Sequence, residues 1–187
     1  MNTKTEFNIK KLSEPLPITN IDFRIQSINK GKYATILAYK DARVDMQRLD
    51  EAVGALNWKR EHTRNNANCI VSIFNPETKE WVGKEDTGTE SNTEQEKGLA
   101  SDSFKRACFN WGIGRELYDY PVISVKLLDN EVIADSGKFK PSFDLKLRAW
   151  SWISEFKNGS LIALAAKDQN DKIRFRYGEF SKKIITT

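Results

Sequence analysis

Residues 21–28, IDFRIQSI, alternate hydrophobic and polar positions, and residues 33–39, YATILAY, form a short, mostly apolar run. Both are expected to be strands around the turn NKGK. The period then lengthens. Met46, Leu49, Val53 and Leu56 recur at helical spacing behind Asp41, a good N-cap, which predicts a helix over about 42–55. Three strands are expected next, about 57–63, 68–74 and 80–85, the last two joined by the turn sequence NPETK. A polar loop, DTGTESN, leads to a second helix, opened by the capping box Thr93–Glu96 and closed by Gly112 and Gly114. Residues 41–112 thus read α-β-β-β-α. Tyr118 to Pro121 leads into another strand or two. Residues 136–142, SGKFKPS, read as an exposed loop, and the end as a three-stranded meander over about 143–154, 160–167 and 172–178. Residues 1–20, polar and with Pro15 and Pro17, are expected to be a flexible arm before one domain over 21–187. The fold class is α+β.

The second helix carries a conflict. On a wheel of ~100° per residue, Ala100, Phe104, Ala107, Cys108 and Trp111 form one apolar face. Phe109 points nearly opposite, with Lys105 and Arg106 on either side of it. Two readings fit. Phe109 packs on a neighbouring element while the cations stay solvated, or the three residues form a phosphate-binding ridge with a stacking ring. Alternation along DLKLRAWSWI places Lys146, Arg148, Trp150 and Trp152 together, and along KIRFRY it groups Lys172, Arg174 and Arg176. Such cations interleaved with aromatics suit a single strand of nucleic acid, although cationic edge strands and core tryptophans explain the same pattern.

Charge and composition narrow the choice. Net charge is +4, yet residues 77–96 hold seven acids and two lysines, so cations concentrate elsewhere. The two cysteines, Cys69 and Cys108, fall at apolar positions and read as core thiols in a reducing compartment. The single histidine, His62, has no evident Ser or Cys partner for hydrolysis and no metal-ligand spacing. Neither a signal-peptide core nor a membrane-spanning run is present in these residues, which points to a cytoplasmic protein. No catalytic residue, metal site or cofactor is expected.

The stretch 83–120, GKEDTGTESNTEQEKGLASDSFKRACFNWGIGRELYDY, resembles the Rad fifty-two family of single-strand annealing proteins, in particular its phage Sak-like branch. The pattern residues are Asp86, Gly88, Glu96–Lys97, Asp102, Lys105–Arg106–Ala107, Trp111–Gly112 and Leu117–Tyr118. YKDARVDMQRLDEAVG resembles the family's first helix, and the likeness covers about Arg24 to Asp119.

The resemblance implies an α-β-β-β-α annealing-protein core with an N-terminal hairpin, followed over about 120–180 by a C-terminal antiparallel meander. It also implies a homo-oligomeric ring that holds single-stranded DNA by its backbone and offers the bases to a complementary strand, without ATP. Lys105 and Arg106 match the family's backbone contacts, Arg24 is the best match to a contact on the first hairpin, and Lys97 and Phe109 join them. Phe109 stands where eukaryotic members tend to have a second Arg. The family's secondary duplex-binding lysines have no match here; from the strand patterns alone, Lys146, Arg148, Arg174 and Arg176 are candidates for secondary contacts. A host or phage single-strand-binding protein is a further expected partner. Two rivals stand beside annealing: a passive single-strand binder, and a nuclease that would need clustered carboxylates for Mg²⁺.

Overall fold

The computed structural model describes residues 7–89 and 95–181, apart from the side chains of 95–97. The Thr93–Glu96 capping box lies outside the described residues. The fold is α+β, and every strand pairing is antiparallel. The chain divides into two compact units. One comprises Lys40–Arg115 with the segment ending at Leu16; the other comprises Pro17–Tyr39 with the segment from Glu116. No helix of the described residues is long and apolar enough to cross a membrane.

The first unit has the order α-β-β-β-α: α1 (Ala42–Val53), β1 (Trp58–Thr63), β2 (Asn68–Asn75), β3 (Glu80–Thr87) and α2 (Gln95–Asn110). Asp41 caps α1 by accepting from the Arg43 N–H at 2.8 Å, and Gly54 ends it at φ +89°. The helix is therefore shorter than expected, and Leu56 lies beyond it, 91% exposed. Register puts Cys69, Val71 and Ile73 of β2 on one face of the sheet, and all three are buried. Phe104, Ala107 and Cys108 of α2 are buried as well, and α2 packs on β2 and β3. Both cysteines are free and fully buried, and burial pushes the Cys69 thiol up to about 11 and Cys108 well above its ordinary value.

The expected flexible arm is corrected over residues 7–16. Leu12 and Leu16 are buried, and the Asn8 N–H donates to the Ala52 carbonyl at 2.7 Å. The Arg48 guanidinium of α1 donates to the carbonyls of Lys11 (2.6 Å), Glu14 (2.9 Å) and Pro15 (3.4 Å). One side chain thus gives the Glu14 and Pro15 carbonyls a donor and adds a second to Lys11, whose carbonyl also accepts from the Glu14 N–H at 3.3 Å, and so docks the segment on α1. Residues 18–20, also assigned to the arm, form a short 3₁₀ turn.

The second unit contains β4 (Asp22–Ile28), β5 (Tyr33–Tyr39), β6 (Ile123–Lys126), β7 (Val132–Asp135), β8 (Lys138–Pro141), β9 (Ser151–Lys157), β10 (Ser160–Lys167) and β11 (Ile173–Gly178). Strands order as β4-β5-β6 and as β11-β10-β9, and β7 pairs with β8. Ala34, Ile36, Ile123, Val125, Trp150, Leu161 and Leu164 form the core. Trp152 stacks on Phe23 with ring centres 3.6 Å apart. The loop expected at 136–142 is instead the turn and second strand of the β7-β8 hairpin, with Ser136 and Gly137 at positive φ.

The first meander strand is also corrected: it begins at Ser151, not 143. Leu147–Ala149 is a 3₁₀ turn, so the alternation read through DLKLRAWSWI is not that of one strand. Trp150 is buried, and Trp152 packs against the same core.

Candidate nucleic-acid interface

The second helix is positioned by residues that its motif contains. Thr89 donates to Asp102 Oδ2 through its N–H (2.8 Å) and hydroxyl (3.2 Å), which holds the end of β3 to α2. Gly88 allows that approach, because a Cβ there would stand 2.7 Å from the Ser103 nitrogen and 2.9 Å from the Leu99 oxygen. Trp111 donates through Nε1 to the Val71 carbonyl at 2.8 Å, tying the helix end to the central strand. Asp86, Gly88, Asp102 and Trp111 therefore hold the scaffold together.

The last carbonyls of α2 are answered by two cations. Lys84 Nζ donates to the Asn110 carbonyl at 2.9 Å. Arg115 donates to the carbonyls of Phe109 (2.8 Å) and Asn110 (2.9 Å). Positive groups suit this negative end of the helix dipole, so both charges serve the helix. The Arg115 guanidinium also lies 5.5 Å from the centre of the Phe109 ring, and Phe109 is half-buried. Arg106 is more exposed but is drawn back: its Nε donates to Asp86 Oδ1 at 3.2 Å, and Asp86 Oδ2 accepts from the Asn110 amide.

Lys105 differs. It is half-buried, and among the described residues no carboxylate lies within ion-pair reach of its ammonium. Its positive charge still reaches the start of α1, where it adds to stronger causes. At Asp41 those are hydrogen bonds from Arg43, which hold the carboxyl below its ordinary value. Asp45 is fully buried with Lys40 as ion-pair partner, and burial pushes its carboxyl up to about 6 against the pull of Lys40 and Lys105. Asp45 Oδ2 has no hydrogen-bond partner among the described residues.

The other sequence candidates differ in their local settings. The Lys97 side chain lies outside the described residues. Arg24 is exposed on β4 in the second unit, its guanidinium 5.4 Å from the Tyr39 ring centre. Arg174 is corrected as a surface contact. It is 5% exposed by side chain, forks onto Glu131 at 2.7 and 2.8 Å, and reaches Asp168 at 3.2 Å. Its guanidinium also sits 4.6 Å from the Trp150 ring centre. Burial opposes ionisation of Glu131, but hydrogen bonds from Arg174 and the Leu128 N–H hold its carboxyl below the usual value. Lys146 lies over the Phe143 ring at 3.2 Å, Arg148 is exposed in the 3₁₀ turn and Arg176 is exposed on β11. The expected row of Lys146, Arg148, Trp150 and Trp152 on one strand face therefore does not form.

His62 has a partner that the sequence did not show: its Nδ1 is 3.5 Å from Ser103 Oγ. Ser103 is fully buried and its hydroxyl has the carbonyls of Asn66 (3.0 Å) and Ala100 (3.2 Å) as acceptors, so the pair is a packing contact that no substrate can reach. Burial, then Arg60, depress the His62 pKa. Among the described residues no three His, Cys, Asp or Glu side chains converge as a metal site would require.

This chain is 33% identical over 115 residues to the single-stranded DNA-binding protein DdrA of Deinococcus radiodurans, an alignment covering 60% of this chain and 55% of the relative. It is 34% identical over 115 residues to the protein of the same name from Deinococcus deserti, covering 60% and 57%. The chain spans little more than half the length of these curated relatives. No family model matches it, and no solved structure does.

Proposed function

We propose that this protein binds single-stranded DNA through the outward side of α2 and anneals complementary strands without hydrolysing a nucleotide. The observation that carries the reading is Lys105: a helix cation without an ion-pair partner among the described residues, next to Arg106, on a helix whose other nearby cations are engaged by carbonyls or carboxylates. An ammonium in that position can meet a phosphate without first breaking an internal salt bridge. The single-strand-binding name of both Deinococcus relatives supports the same ligand. The α-β-β-β-α order of the first unit is compatible with a Rad fifty-two-type annealing core, whose phage Sak-like branch the sequence resembles. In this reading the protein is non-enzymatic, works in the cytoplasm of a bacterial or phage-infected cell, and assembles as a ring.

Annealing follows from backbone holding. Phosphate contacts neutralise repulsion between two strands and leave base edges free, so base pairing supplies the specificity. A passive binder would cover the bases and slow pairing. Two complementary oligonucleotides with a fluorophore and a quencher test this directly. ATP-free acceleration by the protein is expected. Slower pairing at every protein-to-nucleotide ratio would leave the passive binder as the better description. Strand cleavage in Mg²⁺ would replace both with a nuclease.

A further inference from the structure

Beside the β4-β5-β6 sheet, where β5 runs on past the end of β6, lies a recess that the reading above does not use. Directly paired residues share a face, so the buried side of this sheet holds Ile25, Ala34, Ile36, Ile123 and Val125. The opposite side holds Arg24, Thr35, Tyr33, Ser124 and Lys126. β4 contains a bulge there: Ile25 pairs with Ile36 and Ser27 with Thr35, so Gln26 is the extra residue. A bulge re-aims its side chain and sharpens the local twist. Pairing of β5 with β6 stops at Ile36–Ile123, while β5 runs on to Tyr39. A cavity of about 190 Å³ lies in this region, lined by Gln26, Thr35, Leu117, Tyr120, Pro121 and Val122 among others.

The structure assigns this recess as a pocket for one unstacked nucleobase of a bound single strand, and the assignment rests on the single-strand reading given above. The volume is below the roughly 300–1,000 Å³ of drug-sized sites, which suits one flat heterocycle. Its walls offer apolar surface from Leu117, Pro121 and Val122, the last 79% exposed. Gln26 and Thr35 each carry both a donor and an acceptor, so they can meet the edge of any base without selecting one. Cations stand to both sides: Arg24 two residues before Gln26 on β4, and Lys126 two residues after Ser124, the partner of Thr35. The Lys126 ammonium lies 4.8 Å from the centre of the exposed Tyr33 ring. A base held between two cations has its flanking phosphates near positive charge, the arrangement that sequence-tolerant single-strand binding uses.

The test is photo-crosslinking of a single-stranded oligonucleotide containing 5-iododeoxyuridine, followed by mass spectrometry of the peptides. Attachment to Tyr120 or Tyr33 is expected. The double variant Thr35→Leu, Val122→Leu fills the recess from two outward-facing positions. It should lose that attachment and bind roughly tenfold more weakly, as expected for one lost base contact. If it does not fold, Gln26→Ala at the exposed bulge gives the same readout with a smaller loss. Complexes that form normally but crosslink only within α2 would overturn the pocket and leave the single-strand reading standing. Unchanged affinity and crosslinking in the folded variant would do the same. Failure of the wild-type protein to bind the oligonucleotide at all would overturn both.

Discussion

At the scale of single residues, Lys105 and Arg106 look alike in sequence and differ in structure. To meet a phosphate Arg106 would have to give up Asp86, whereas among the described residues Lys105 has no ion pair to break. Lys105→Ala should therefore weaken single-strand binding more than Arg106→Ala, equally for all sequences. It should also make the slope of log K against log salt shallower by about 0.7, the value for one phosphate on a single strand. Asp86→Asn, which keeps the shape and removes the charge, should tighten binding and steepen the slope. Titrations of a labelled oligonucleotide at several salt concentrations measure all three, and equal losses for the two cations would show that Asp86 exerts no restraint. The motif spacing made these residues legible as a group. It could not show that Asp86, Gly88 and Asp102 secure the helix, because each acts across a fold-dependent contact, such as the 2.7 Å a Cβ at position 88 would leave to Ser103.

At the scale of elements, helical spacing located α1 and α2, and short runs between turn signals located β1, β2 and β3; of these strands β2 carries the buried side chains, whereas β1 and β3 are half-buried or exposed throughout. Where burial came from distant residues, the pattern misled. The segment 7–16 reads polar because its docking depends on Arg48, and the β7-β8 hairpin reads as a loop because its four-residue strands are mostly exposed. Arg174 reads as a surface cation because Glu131 and Asp168 come to it from elsewhere in the chain. Arg174→Ala should leave two buried carboxylates without their cation and cost about 3–5 kcal/mol of stability. Single-strand affinity of the protein that remains folded should be unchanged, and a proportionate loss of affinity would return Arg174 to the site. The Lys40–Asp45 pair predicts a pH effect of definite sign. With its pKa raised from 3.8 to about 6, the folded Asp45 holds more proton than the unfolded chain between those values. Its contribution to stability is therefore fully present at acid pH and is lost as pH rises through about 6. Relative to Asp45→Asn, the wild type should gain on the order of 2–3 kcal/mol as pH falls from 7 to 4. Denaturant midpoints of the two proteins across that range check it, and parallel curves would refute the raised pKa.

At the scale of the whole molecule, charge distribution says more than net charge. The acidic run over residues 77–96 carries a net −5, which leaves +9 on the rest of a chain whose total is +4. A bound single strand would be attracted to the second part, and so would the acidic run of another copy. The ring that the family resemblance implies would therefore be held in part by contacts that salt screens, since the Debye length shrinks from about 10 Å at 0.1 M to about 3 Å at 1 M. Light scattering at micromolar concentration should give particles of several times 21.5 kDa at low salt and smaller ones near 1 M. Charge reversal of Glu77, Glu80 and Glu85 to Lys should lower the mass at low salt while leaving circular dichroism unchanged. Assemblies that ignore salt and survive the reversal would point to apolar contacts between copies instead. Particles of single-chain mass throughout, with and without single-stranded DNA, would sink the ring. The Lys105 prediction would be untouched by that result, because a phosphate contact on one helix needs no neighbouring subunit.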